Sequence, residues 1–205
     1  MKRRSQLMAI NQQENIFMTQ VRTIRITLAV AALAVAVGCN DPMEPAEEQE
    51  LITRVTMTLT PTGGGAAQTS VIEDEDGLGP QAPAAPSITF QLTPGETYNG
   101  TIRFEDASDP ANVENITEEV EEEALLHRVF YILTGTGVDV PDNSLDTDTN
   151  GAPLGLMYQV VVDAAATGNG TIQVILSHYD EEPKGDGSEQ SDETDVDVTF
   201  AFTVS

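Results

Sequence analysis

A run near the end of the chain fixes its class. Val196, Val198, Phe200, Phe202 and Val204 alternate with Asp195, Asp197, Thr199, Ala201 and Thr203. Residues two apart share one face of an extended strand, so this pattern makes a ribbon apolar on one side and polar on the other. A helix would scatter the same residues around its surface. Shorter runs repeat the period. Val55, Met57 and Leu59 alternate with Arg54, Thr56, Thr58 and Thr60. Ile88, Phe90 and Leu92, then Tyr98, Ile102 and Phe104, then Ile172, Val174 and Leu176 do the same. Thr69 to Ile72 adds a short strand.

Two runs are apolar on both faces, Val129 to Leu133 and Leu156 to Val162. Both are expected at the centre of a sheet. Val138 to Val140 either continues the first run past a bulge at Gly135 or Gly137, or forms a separate strand. Between the runs stand turn formers: Pro61 to Gly65, the loop 79–86, Pro94-Gly95, Asp142 to Gly155 and the acidic loop 180–193. Ala164 to Gly170 is expected to be a hairpin loop. Only Asn115 to Leu126, NITEEVEEEALL, breaks the rhythm. Asn115 and Glu118 have capping-box spacing, and Ile116, Val120 and Leu125 fall on one face, so a short helix is predicted over 116–126. Its glutamates are expected to face solvent. The expected architecture is all-β: an antiparallel, immunoglobulin-like β-sandwich of seven or eight strands over residues 51–205. A closed barrel is the alternative.

The region before residue 51 has a different character. Arg22 and Arg25 precede an apolar stretch, Ile26 to Val37, which ends on Gly38 and the only cysteine, Cys39. About a dozen apolar residues suit a secretory signal and fall short of the ~20 a spanning helix needs. The junction resembles a bacterial lipobox, with Ala36 where leucine is usual. The resemblance implies cleavage before Cys39 and diacylation of its sulfur. Residues 1–38 then read as a lipoprotein signal peptide, with translation starting at Met1 or at Met18. Asn40 to Glu50, NDPMEPAEEQE, lacks apolar content to pack, and residues 39–50 read as a flexible acidic tether. The expected address is the cell envelope, on an outer membrane facing the periplasm or the cell surface.

Cleavage would leave Arg54, Arg103, Arg128 and Lys184 against 33 acids, a formal charge of −29. Such a body repels nucleic acid and anionic lipid surfaces. The acids are spread along the chain, which suits a solvated surface in the high salt of a halophilic setting. No thiol would remain to form a disulfide.

The segments LITRVTMTLTPTGGG, TPGETYNGTIRFEDAS, ITEEVEEEALLHRVFY, DTDTNGAPLGL and ETDVDVTF together resemble a group of small Bacteroidota lipoproteins, some labelled type 1 periplasmic binding fold proteins. That resemblance implies an envelope address and lends no activity. The periplasmic-binding label implies strands alternating with long helices, which this sequence lacks.

No nucleophile elbow, phosphate loop or dinucleotide fingerprint is present, and catalysis by carboxylates would need a buried pair in a cleft. The expected role is therefore non-catalytic binding or structural support, with an outer-membrane receptor or transporter as partner class. The rival is a divalent metal ion, at one of two places. Asp146, Asp148 and Asn150 with Gly151 match the first half of a calcium loop, but its twelfth position is Met157. An ordinary Asp/Asn/Gly turn explains the same residues. His127 and His178 are the only imidazoles, each near acids, and could hold zinc or copper with a carboxylate. Strand parity decides between them and coincidence. If one strand lies between theirs, the two histidines fall at opposite ends, roughly 20 Å apart. If Val138–Val140 is a separate strand, the parity flips and they can meet.

Overall fold

The computed structural model describes residues 50–179 and 183–205. The expectations for the signal, Cys39 and residues 39–49 of the tether lie outside them. Among these residues nine strands form two sheets: β1 (Arg54–Pro61), β2 (Gln68–Glu73), β3 (Phe90–Leu92), β4 (Thr97–Glu105), β5 (His127–Thr134), β6 (Val138–Asp139), β7 (Met157–Val162), β8 (Gly168–His178) and β9 (Glu193–Val204). One sheet has the order β2-β1-β4-β7-β6 and the other β3-β9-β8-β5. The sole α-helix among the described residues, α1, spans Ile116–Glu122.

The alternation in the sequence becomes the core. Met57, Leu59, Ile102 and Phe104 of the first sheet meet Ile172, Val174, Leu176 and Phe200 of the second, each no more than 3% exposed. Removing such side chains from water contributes roughly 1.5–3 kcal/mol apiece. Phe90 and Phe200 pack with ring centroids 6.2 Å apart.

Four expectations need correction. The strands number nine, because Val138–Asp139 separates from β5 and joins β7 in the other sheet. β3 runs parallel to β9, so the second sheet is mixed. Residues 164–170 do not close a hairpin, since β7 and β8 lie in different sheets. The apolar β5 is an edge strand. Its two-faced apolar content is met by other means: Arg128 lies 4.3 Å over the Phe130 ring, Val129 donates to the Leu154 carbonyl, and Ile132 stays 46% exposed.

The helix is shorter than predicted. Asn115 and Glu118 do pair, but side chain to side chain: Asn115 Nδ2 donates to Glu118 Oε1 at 2.7 Å. Ile116 and Val120 are buried, Leu125 is exposed, and the helix glutamates face solvent as expected. The helix matters because its end positions the start of β5.

Candidate metal centre

Two strands, β6 and β7, lie between β5 and β8 in sequence. The even count makes β5 and β8 antiparallel, and His127 is directly opposite His178. Their rings are 4.4 Å apart at the centroids. His127 shares its face of β5 with buried Val129, and His178 shares its face of β8 with buried Leu176 and Val174. Both imidazoles therefore point into the sandwich and are 0% and 3% exposed as residues.

Two carboxylates join them. The first, Asp195, should point outward by the alternation of β9, because Val196 points inward. A bulge changes this. Leu176 faces Val196, but Ser177 faces Thr194, so Asp195 is an extra residue in the ladder. A bulge re-aims a side chain, and both Asp195 and Val196 are buried. The second is Glu50, which belonged to the tether in the sequence reading. Its side chain is 7% exposed and lies against both histidines.

One ligand atom from each of Glu50, His127, His178 and Asp195 lies within 4.8 Å of the other three. Glu50 Oε1 is 3.3 Å from His127 Nε2, and Glu50 Oε2 is 3.4 Å from His178 Nδ1. Asp195 Oδ2 is 3.8 Å from His127 Nε2 and 3.7 Å from His178 Nδ1. These separations exceed ordinary N–H···O hydrogen bonds. They approach the edge of a tetrahedron around an ion with bonds of about 2.0–2.1 Å, which is about 3.3–3.4 Å.

Protonation supports the same reading. His127 Nδ1 lies 3.2 Å from the Glu123 carbonyl just beyond α1, so Nδ1 donates. In a neutral ring, Nε2 then carries a lone pair aimed at two carboxylates. A backbone carbonyl on the far nitrogen is the usual way a ligating histidine is held in its tautomer. Neither Asp195 oxygen has a hydrogen-bond partner among the described residues. A buried carboxylate without a partner costs several kcal/mol unless it is protonated or meets a cation. Apart from the two imidazoles themselves, the basic residues of 50–205 do not supply one: Arg54 and Arg103 pair with Glu73 and Glu105, Arg128 with Asp142, and Lys184 with Asp148.

The carboxylates respond in opposite directions. Burial works to raise Glu50, but the close contact with His127 and, when the rings are protonated, the charges of both histidines overcome it and take Glu50 down to about 2. Burial, then the Glu50 charge, pushes Asp195 up to about 7. A split carboxylate pair can serve acid–base catalysis. Here the four side chains are at most 7% exposed, so the pair is closed to solvent in this arrangement.

The calcium-like turn is built for other purposes. Asp146 Oδ1 accepts from the N–H groups of Gly155 and Met157. Asp148 Oδ1 accepts from those of Asn150 and Ala152, and its Oδ2 meets Lys184 Nζ at 3.2 Å. An ammonium thus lies where a calcium ion would be sought. Lys184 also donates to the carbonyls of Ala124 and His127, at 2.6 and 2.7 Å. Burial lowers its pKa, and the Asp148 carboxylate resists the shift. Lys184→Met should destabilise the fold by about 3–5 kcal/mol, since it leaves Asp148 buried without its ion partner. A urea midpoint within error of wild type would contradict this role.

Sequence reasoning named the two histidines and missed both buried carboxylates. Glu50 looked like any other acid of a polar spacer, and the inward turn of Asp195 depends on a bulge that alternation cannot show. No family model, no curated protein and no solved structure matches this chain.

Proposed function

We propose that this chain is a lipid-anchored, acidic protein of the cell envelope whose β-sandwich binds one divalent transition-metal ion through Glu50, His127, His178 and Asp195. The observation that carries the reading is the convergence of two imidazole nitrogens and two carboxylate oxygens within 4.8 Å of one another. Two imidazoles and two carboxylates suit zinc, and copper next, better than calcium, which takes six to eight oxygens. A closed, four-ligand site favours holding the ion over turning over a substrate.

Calorimetric titration of the full chain with Zn²⁺ in molar salt tests the site. Salt screens the diffuse attraction of an acidic surface but not direct coordination. One ion per chain with saturable heat is expected, weakening as pH falls because protons compete with the metal for its ligands. Heat that scales with ionic strength and never saturates would sink the reading.

The anchor rests on Arg22, Arg25, the apolar run and the Gly38-Cys39 junction. Protein extracted from membranes should give an intact mass for a chain beginning at acylated Cys39. A mature chain with a free thiol would end that part of the proposal. Such an address also suits a receptor or transporter of the same membrane as partner.

A further inference from the structure

The four ligands are not held alike. His127 and His178 face each other in the β5–β8 ladder, and Asp195 stands in the bulge of β9 beside β8. Three adjacent strands of one sheet therefore fix three ligands. Glu50 precedes β1, and the chain's first backbone hydrogen bond to the sheet among the described residues is made by Thr53, to the Glu105 carbonyl at 3.0 Å. Glu50 also borders an open cavity of about 300 Å³, lined further by Leu51, Asp76, Gly77, Leu78 and Gly79. The three strand-borne ligands are fully enclosed. Of the four ligands, only Glu50 lines this space.

Resting on the metal site proposed above, we infer that Glu50 is an exchangeable ligand that covers a carboxylate-binding position on the ion. His127, His178 and Asp195 hold the metal by themselves, as two imidazoles and one carboxylate do in open zinc and iron sites. When Glu50 turns into the cavity, the vacated position accepts a small carboxylate from solution. The class of ligand follows from the occupant, since Glu50 presents a carboxylate there through its own chain. As an intramolecular competitor it acts at an effective concentration in the millimolar range or above. Exogenous carboxylates then compete poorly against wild type and well once Glu50 is removed.

The test uses the full chain loaded with Co²⁺, whose visible absorption reports its ligands. Glu50→Ala should keep saturable binding of one Co²⁺ per chain, with lowered affinity. His178→Ala should lose saturable binding. Acetate should shift the Glu50→Ala spectrum saturably, with at least tenfold more acetate needed for wild type. A wild-type chain that takes up no Co²⁺ would remove the metal site itself. If wild type binds and Glu50→Ala loses the ion as fully as His178→Ala, Glu50 is a permanent ligand and the inference fails. It fails equally if the Co²⁺-loaded variant is blind to acetate. Glu50→Gln, which keeps the volume, gives the same readouts should the alanine variant not fold.

Discussion

Saturating Zn²⁺ should raise the melting temperature of the wild-type chain by about 5–10 °C, and His127→Ala should abolish the rise. An ion that binds only the folded state at a hundredfold excess over its dissociation constant stabilises by about 2.7 kcal/mol. For a domain of this size each kcal/mol moves the midpoint by about 2–4 °C. His127 is the informative position, because its Nε2 faces both carboxylates while its Nδ1 is tied to Glu123. Its substitution removes a ligand and leaves a small cavity at a fully buried place. The variant should therefore also melt lower without metal, by an amount that added Zn²⁺ does not restore. An undiminished zinc-induced rise in His127→Ala would show that the ion binds elsewhere on the acidic surface.

The second large effect concerns pH. Asp195 titrates near 7 in the folded chain, well above the ordinary aspartate value of 3.8. A group raised on folding contributes its full stability below the unfolded value and loses it as pH rises through the folded one. Glu50 is lowered from 4.5 to about 2, so its contribution is present above 4.5 and lost as pH falls through 2. The chelator-treated protein should therefore lose stability between about pH 4 and 7 through Asp195, while Glu50 holds steady over that window. Asp195→Asn should flatten that slope. Zn²⁺ should oppose it, since a ligating carboxylate is no longer an unpaired buried charge, and its stabilisation should grow as protons leave the ligands. Urea midpoints at pH 5 and 7, with and without chelator, read both trends. Equal slopes for wild type and Asp195→Asn in the absence of metal would refute the assignment to Asp195.

How far the sequence carried differs between fold and site. Period-2 alternation placed β1, β4, β8 and β9 and selected their buried faces, because one face of each meets the core and the other meets water. It misjudged β5, where apolarity on both faces suggested a central strand. There the covering comes from Arg128 over Phe130 and from the 153–155 segment, and neither contact leaves a periodic trace. The histidines were found as rare residues at strand ends, and their meeting hung on whether two residues, Val138 and Asp139, counted as a strand. Asp195 was hidden because a bulge is a property of two strands together. Glu50 was hidden because a residue just ahead of a sheet carries no pattern of its own. The Asp146–Asn150 motif, by contrast, was conspicuous and served turn formation.

The position of Glu50 at one end of the domain and Asp195 near the other has a topological consequence. An ion gripping both would fasten residue 50 to residue 195 and close almost the whole domain into a ring. For a covalent cross-link over a loop of that length, chain-entropy arguments give about 5 kcal/mol, through the freedom denied to the unfolded chain. A chain whose single cysteine is Cys39 cannot obtain this from a cystine bridge. A coordinated ion would provide it reversibly, in oxidising and reducing surroundings alike, for as long as metal supply and pH keep the four ligands together.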